Sequence, residues 1–249
     1  MPFSRNIKIA LAYDGSAFQG WQAQASGRTV QGVLEEALAK ILGGAPRTIA
    51  AGRTDAGVHA LGQVANVRTD STIPAETLKR ALNALLPEDV VVHAVMDVSA
   101  HFHARYLAKS KQYVYIIDAS LERSPFLNRY ALRVDYPLDI PAMRQAAGSF
   151  IGEHDFAAFM AVGSPVKSSV RTVTVSELVM KEGRLYYIIE GSGFLRHMVR
   201  NIIGTLLMVG RGGLAPEDIS GIIESRDRSK AGPTAPPQGL YLVAVNYEE

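Results

Sequence analysis

The sequence predicts an α/β protein of the α+β type, made of two similar β-α-β-β-α-β halves. Two observations carry this prediction. Strand-like and helix-like periodicities follow that order in the first half and repeat it in the second. The chain has 249 residues, of which 47% are hydrophobic and 20% charged, which is typical of globular proteins and excludes a disordered one.

The first half alternates short strands with two amphipathic helices. Apolar residues at helical spacing predict one helix over residues 30–42, ended by Gly43 and Gly44. A second helix is expected from Pro74 through Leu85, with Pro74 in its first turn. Strands are predicted at residues 7–13, 48–51, 63–68 and 90–95.

The second half predicts the same order with one more short helix. Helices are expected at residues 140–150, at residues 194–209 and from Pro216. Strands are expected at residues 112–117, 170–179, 185–190 and 240–247, and loops at 120–133, 160–169 and 231–239. We place the boundary near residues 99–108, which makes residues 1–105 the N-terminal half and residues 106–249 the C-terminal half.

Charge and cysteine usage narrow the classes of function. Lys plus Arg number 26 against 24 Asp plus Glu, so binding of a polyanion depends on local clusters and not on the net charge of +2. The chain has no cysteine, which excludes disulfides, thiolate nucleophiles and cysteine-ligated zinc. It has no apolar run of membrane-spanning length, and residues 1–13 lack a signal-peptide core. We therefore expect a cytoplasmic protein with no membrane partner.

The segment GRTDAGVHALG, residues 52–62, is longer than a hairpin connection requires and contains one carboxylate, Asp55. Arg53 lies two residues away and favours the ionised form, which suits a nucleophile better than a general acid. A turn aspartate with a solvated arginine is the structural alternative. The glycine spacing matches neither the dinucleotide fingerprint nor the P-loop.

Two other segments combine basic and aromatic or apolar residues. The stretch FHARYLAKSKQYVY, residues 102–115, interleaves lysine and arginine with tyrosine, as single-stranded nucleic acid binding requires; an ordinary sheet edge is the alternative. The helix expected from Phe194 carries Arg196 and Arg200 one turn apart. Arg200 adjoins the apolar stripe, so we expect it to need an anionic partner, for which Asp55 is one candidate.

Eight segments in order resemble the tRNA pseudouridine synthase A family, and GRTDAGVHA is close to diagnostic. They are YDGSAFQGWQ (13–22), TVQGVLEEAL (29–38), GRTDAGVHALGQV (52–64), FHAR (102–105), KQYVY (111–115), GEHDFAAF (152–159), GSGFLRHMVRNIIG (191–204) and AGPTAPPQGLYL (231–242). The resemblance implies conversion of uridine to pseudouridine at positions 38, 39 and 40 of the tRNA anticodon stem-loop. It also implies no metal, no cofactor and a homodimer. The fold we expect has adjoining, mostly antiparallel sheets, helices on one side and an active-site cleft between the halves.

The resemblance assigns roles residue by residue. Asp55 falls on the catalytic aspartate, Arg53 and Arg200 on its basic partners, and Tyr113 on the tyrosine that lies against the uracil. A carboxylate can add to the uracil ring or trap the ribose at its anomeric carbon, and either route remains open. The proton that must leave the ring carbon goes to Tyr113 or to water.

Basic residues beyond this core are expected to face RNA. Closest to the site we place Arg105, Lys109, Lys111 and Arg196. The wider phosphate-facing set comprises Arg123, Arg129, Arg133, Lys167, Arg171, Arg226, Arg228 and Lys230.

Two other functions remain as alternatives. The first is a non-catalytic RNA-binding module with the same duplicated fold, which would not need Asp55. The second is a metal-dependent hydrolase built on Asp55 with His101 and His103, which a strand would point to one face.

Overall fold

The computed structural model describes residues 4–120 and 122–248. It is a mixed α/β, mostly antiparallel structure that divides into two compact units, as the sequence predicts. The first unit comprises the residues up to Lys109 together with those from Tyr241 onward, and the second comprises Ser110–Leu240. The elements are β1 Arg5–Tyr13, α1 Val30–Leu42, β2 Thr48–Ala50, β3 His59–Thr69, α2 Ala75–Leu85, β4 Val90–Val98, β5 Ala108–Asp118, β6 Leu132–Arg133, α3 Ile140–Gly148, β7 Gly152–Asp155, β8 Val170–Lys181, β9 Arg184–Gly191, α4 Met198–Gly210, α5 Asp218–Ser225 and β10 Leu240–Tyr247.

The sheet of the first unit is centred on β3. β1 pairs antiparallel with β3 on one side and with β4 on the other. β2 pairs antiparallel with the later part of β3, and β10 pairs parallel with its start, where Tyr241 is opposite His59. The inward side chains Ile7, Ile9 and Leu11 of β1 are fully buried. Their alternation with less buried neighbours places the core on one face of this strand.

Helix α1 has the bounds that its sequence predicts because both ends are specified locally. The Oγ1 of Thr29 accepts a hydrogen bond from the Gly32 N–H at 3.2 Å, and Gly43 ends the helix with a φ of 76°. Leu34 and Leu38 on its inner stripe are fully buried. Helix α2 begins directly after Pro74, packs on β4 and contacts α1.

The sheet of the second unit follows the order β5, β9, β8, β7, with antiparallel pairing throughout, and β6 joins β5 in parallel. The strands β6 and β7 are not predicted by the sequence pattern. Helix α3 packs against β8 and α4. Tyr115 of β5 and Tyr187 of β9 lie directly opposite each other and are fully buried.

Two expectations about boundaries are corrected by the structure. The last strand, placed by sequence in the C-terminal half, belongs to the first unit from Tyr241 because it pairs with β3. Helix α4 begins at Met198 and not at Phe194, because His197 before it has a left-handed φ of 63° that a helix cannot include. Arg196 therefore lies in a turn, and the expected helical spacing between Arg196 and Arg200 does not exist.

Candidate active site

Asp55 lies in the loop of residues 51–58 that joins β2 to β3. This loop is shorter than the 52–62 segment because residues 59–62 already belong to β3. The carbonyl of Asp55 accepts a hydrogen bond from the Val58 N–H at 3.1 Å, and Gly57 has the positive φ of 76° that this tight turn requires. The Asp55 side chain is partly buried. The loop is thus an ordered turn that presents one carboxylate.

The segment of residues 13–22, which begins at the last residue of β1, holds this loop through its main chain. The Trp21 N–H donates to the Thr54 carbonyl at 3.0 Å, and the Gly57 N–H donates to the Phe18 carbonyl at 3.2 Å. A Cβ at Gly20 would lie 2.6 Å from the Thr54 carbonyl oxygen, closer than real contacts allow. Only glycine at position 20 allows these two segments of the chain to approach so closely. The conformation of the loop around Asp55 therefore depends on the YDGSAFQGWQ segment.

Two buried side chains hold the N-terminal side of the same loop. The hydroxyl of Tyr13 lies 2.8 Å from the Oγ1 of Thr54, and the Nε2 of Gln63 donates to the Gly52 carbonyl at 2.8 Å. Burial raises the pKa of the Tyr13 hydroxyl to about 12, against smaller opposing effects of its hydrogen bonds to Thr54 and Gln63. Tyr13 is therefore a neutral hydrogen-bonding group at physiological pH.

Arg53 is exposed on this loop, two residues before Asp55. Within the described part of the chain its guanidinium makes no hydrogen bond or ion pair. An exposed arginine without a protein partner keeps its five N–H groups for an external anion. Its position therefore suits contact with a phosphate better than a structural ion pair.

In the second unit, Tyr113 lies on β5 with its ring packed edge-on against Phe194. The two ring centroids are 5.1 Å apart, with an interplanar angle of 80°. Only 7% of Tyr113 is exposed. Phe194 belongs to the GSGFLRH segment that joins β9 to α4, and it fixes the orientation of the tyrosine ring.

Arg200 lies in the first turn of α4 and is tied to the segment of residues 231–236. Its Nε donates to the Ala235 carbonyl at 2.7 Å, and the Ala235 N–H donates back to the Arg200 carbonyl at 3.0 Å. Next to this pair, the Tyr115 hydroxyl donates to the Pro236 carbonyl at 2.8 Å. Burial raises the pKa of Tyr115, and the positive charge of Arg200 opposes that rise. The contacts of Ala235 restrict the orientation of the Arg200 side chain.

A buried polar network attaches the same segment to α4. Asn201 donates to the Phe159 carbonyl at 2.7 Å and accepts from Thr234 at 2.6 Å and from Arg228 at 3.0 Å. The Oγ1 of Thr205 accepts from the Gly232 N–H at 2.8 Å. Arg228, expected to face phosphate, thus has a structural role, because its guanidinium is used within the fold.

The remaining basic residues differ in exposure. Arg105, Lys109 and Arg196 are exposed, as contact with RNA requires, and Arg105 lies over the Tyr106 ring at 5.7 Å. Lys111 is only 8% exposed, so its surface does not resemble that of a phosphate-contacting lysine. Arg226 pairs with Asp155 at 3.0 Å.

The histidines proposed as metal ligands do not share a strand. His101 and His103 lie in the turn before β5, where the Nδ1 of His103 accepts the N–H groups of Arg105 and Tyr106 at 3.2 Å. Across residues 4–120 and 122–248, no group of three or more acidic or histidine side chains is arranged to hold a metal ion. No helix in this part of the chain is long and apolar enough to cross a membrane.

No positioning role is predicted from the sequence for Tyr13, Gln63 or Asn201. Tyr13 ends a predicted strand, and the glycine-containing segment that follows it, DGSAFQGWQ, belongs to no predicted element, which is a signal that could have identified this region. Gln63 and Asn201 are amide side chains that adjoin apolar residues in the sequence, and both are fully buried. Such residues mark places where a hydrogen-bond partner is required.

Known proteins of similar sequence identify the family of this chain. The family model described as tRNA pseudouridine synthase matches residues 9–107 and 146–248. A protein of Thermoanaerobacter sp. (strain X514) named tRNA pseudouridine synthase A is 48% identical over 243 residues, which cover 98% of this chain and 100% of the relative. One of Geobacter sp. (strain M21) with the same name is 46% identical over 246 residues, with coverage of 98% and 100%.

Among solved structures, a chain of a Cbf5-Nop10-Gar1 complex matches 80% of this chain and 54% of its own length. The sequence identity is 16% and the TM-score 0.32, a likeness too low to support any argument. The family model instead matches parts of both units, including the Asp55 loop and the segment around Arg200, and the relatives match 98% of the chain. This chain belongs to the tRNA pseudouridine synthase family.

Proposed function

We propose that this chain converts uridine to pseudouridine at positions 38, 39 and 40 of the tRNA anticodon stem-loop, with Asp55 as the nucleophile. Family membership supports the reaction class, an isomerisation of uridine in tRNA. The observation that carries the role of Asp55 is its loop, in which both flanks are held by hydrogen bonds while the carboxylate is left partly accessible. A rigidly held ionisable group suits covalent catalysis.

The reaction is an isomerisation in which atoms and electrons balance without a co-reactant. The bond between N1 of uracil and C1′ of ribose breaks, the base turns, and a bond between C5 and C1′ forms. A base removes the C5 proton, and N1 gains a proton. Asp55 either adds to the ring and is later expelled, or bonds transiently to C1′ and is displaced by C5.

The other site residues have distinct roles in this proposal. Tyr113, held edge-on by Phe194, lies against the detached uracil and accepts the C5 proton directly or through water. Arg200, whose orientation is restricted by Ala235, supplies a positive charge for the anionic substrate. The exposed Arg53 occupies the space of the extruded nucleotide or binds its phosphate.

The substrate is a polyanion, and the exposed Arg105, Lys109 and Arg196 are its additional contacts. For the buried Lys111 the same role stays a prediction from sequence. We also propose that the chain is a cytoplasmic homodimer without metal or cofactor. Sedimentation equilibrium tests the dimer, for which we expect twice the mass of one chain. Activity measured in the presence of a chelator tests the absence of a metal, and we expect it to be unchanged.

Replacing Asp55 by asparagine tests the central role. Asp55→Asn removes the nucleophile but keeps the volume of the side chain, so we expect tRNA binding to persist and turnover to be lost. Release of tritium from tRNA labelled at uracil C5 measures turnover, and a filter-binding assay measures affinity. Asp70→Asn is a matched control, because Asp70 is an exposed carboxylate of the same unit that accepts a surface hydrogen bond from the Ser4 N–H. Tritium release by Asp55→Asn at the wild-type rate would reject the assignment.

The RNA-binding module is the second candidate function. It predicts tRNA binding without product, whereas the synthase predicts carbodiimide-reactive pseudouridine in an unmodified tRNA transcript. Mapping that product also tests positions 38, 39 and 40. Modification confined to other uridines would retain the reaction and overturn the proposed site in tRNA.

A further inference from the structure

The hydroxyl of Tyr13 is a buried polar group whose contacts lead directly to the catalytic loop. We propose that this hydroxyl is a positioning group for Asp55, acting through Thr54, the residue that precedes it in the chain. The inference rests on the proposed role of Asp55. It assigns a role in the reaction to the last residue of β1.

The position of Tyr13 in the fold makes this contact rigid. Tyr13 is the last residue of β1, where it is opposite Ala60 of β3, and it is 4% exposed. Its ring packs on Trp21 with the centroids 6.1 Å apart. From this fixed ring the hydroxyl reaches the Oγ1 of Thr54 at 2.8 Å. The loop therefore hydrogen-bonds to a group that the sheet itself holds in place.

The chemistry of Gln63 settles the direction of its own hydrogen bonds. Its Oε1 accepts the Val64 N–H at 3.1 Å, which identifies Nε2 as the atom that donates to Gly52 at 2.8 Å and to the Tyr13 hydroxyl at 3.4 Å. An amide N–H can only donate, so the Tyr13 oxygen accepts from Gln63. In the contact between the Tyr13 and Thr54 hydroxyls, either oxygen can donate. One connected pair of side chains thus fixes Gly52 and Thr54.

Thr54 is held at two points. Its side chain bonds to Tyr13, and its carbonyl accepts the Trp21 N–H at 3.0 Å. That carbonyl belongs to the peptide that leads into Asp55, so the two contacts together restrict the rotation that would swing the carboxylate. Removal of the Tyr13 hydroxyl leaves only the main-chain contact.

The buried ring does not itself require a hydroxyl. Phenylalanine would fill the same space without the desolvation cost of a polar group, which burial makes substantial. The hydroxyl is therefore retained for its partners. Since a misplacement of about 1 Å can reduce a rate on the order of a hundredfold, its contribution should appear in kcat.

Tyr13→Phe is the direct test, with kcat and KM measured by tritium release from C5-labelled tRNA. We expect kcat to fall by about ten- to a hundredfold while KM stays within about twofold, because the substrate-binding surface is untouched. Tyr187→Phe is the matched control. Tyr187 is also fully buried, with its hydroxyl 2.8 Å from that of Ser176 in the second unit, so it loses the same kind of bond. For Tyr187→Phe we expect kcat to be unchanged.

Thr54→Val removes the same contact from the other side and tests the inference if Tyr13→Phe does not fold. We expect Thr54→Val to match the loss in kcat, and the double variant to lose no more than either single one. A kcat of the folded Tyr13→Phe or Thr54→Val protein within about twofold of wild type would overturn the inference, as would an equal loss in Tyr187→Phe. The Asp55→Asn measurement separates the two failures. If Asp55→Asn is inactive and these variants are active, only the positioning role is wrong.

Discussion

Single buried polar residues set the conformations of the segments that carry the chemistry. Gln63 and Asn201 are both fully buried, and each bonds to main chain outside its own element. A buried amide left without partners costs about 1–3 kcal/mol for each group, so such residues specify one conformation of the segments they contact. Gln63 contacts the segment that precedes Asp55, and Asn201 contacts the segment that bonds to Arg200.

Asn201→Ala tests this specification at the scale of one residue. It removes one hydrogen bond each from Arg228, Thr234 and the Phe159 carbonyl, and we expect a loss of about 3 kcal/mol in the free energy of unfolding. Urea denaturation measures the loss. Gln145→Ala is the control, since its exposed amide bonds only to Glu217 and should change stability by less than about 0.5 kcal/mol. Equal effects of the two changes would contradict the argument.

At the scale of elements, two helices show how the effect of a glycine on stability depends on its surroundings. Gly204 lies inside α4, where a Cβ would overlap the Pro233 carbonyl oxygen. Gly221 lies on the exposed side of α5, where a Cβ would meet nothing within 4 Å. The first permits close packing of the segment that bonds to Arg200, and the second only lowers helix propensity.

Substitution of these two glycines by alanine should therefore change the free energy of unfolding in opposite directions. We expect Gly204→Ala to destabilise the protein by about 3 kcal/mol and to lower activity, because it displaces Pro233 and with it Ala235. Gly221→Ala should stabilise the protein by about 1 kcal/mol, with unchanged activity. Thermal denaturation with activity assays checks both. A neutral Gly204→Ala would show that the segment is not packed as described.

At the scale of the whole molecule, buried tyrosines in both units make stability sensitive to alkaline pH. Burial raises the pKa of Tyr13 to about 12 and also raises the pKa values of Tyr115, Tyr187 and Tyr247 above their ordinary range. Each folded pKa lies above its unfolded value. The associated stability is complete below about pH 10 and declines as pH rises above it.

We expect the free energy of unfolding to fall steeply above pH 10, by up to about 1.4 kcal/mol per pH unit for each tyrosine that remains protonated only when folded. Urea titrations at pH 9, 10 and 11 measure the slope. Tyr187→Phe removes one such group and should lower the slope. The loss of its hydrogen bond to Ser176 changes the free energy of unfolding equally at each pH and does not alter the slope. An unchanged slope in this variant would show that Tyr187 is not protected from ionisation by folding.

Local patterns predicted the elements well, and contacts between distant segments account for the errors. Helix α1 and strand β10 have their predicted bounds, since caps and alternation are properties of adjacent residues. The start of α4 was wrong because the left-handed conformation of His197 has no sequence signal of its own. The last strand was assigned to the second half because pairing with β3 is a long-range contact.

The amino-acid sequence alone determined the family, the fold class and the identity of Asp55 as the carboxylate to test, because these depend on residue types in order along the chain. Only the tertiary structure decided which side chains position the loop that carries this carboxylate. Tyr13 and Gln63 reach the loop from 41 and 11 residues away from their partners Thr54 and Gly52. Hydrogen bonds over such separations form only when strands pair, so no local pattern could reveal them.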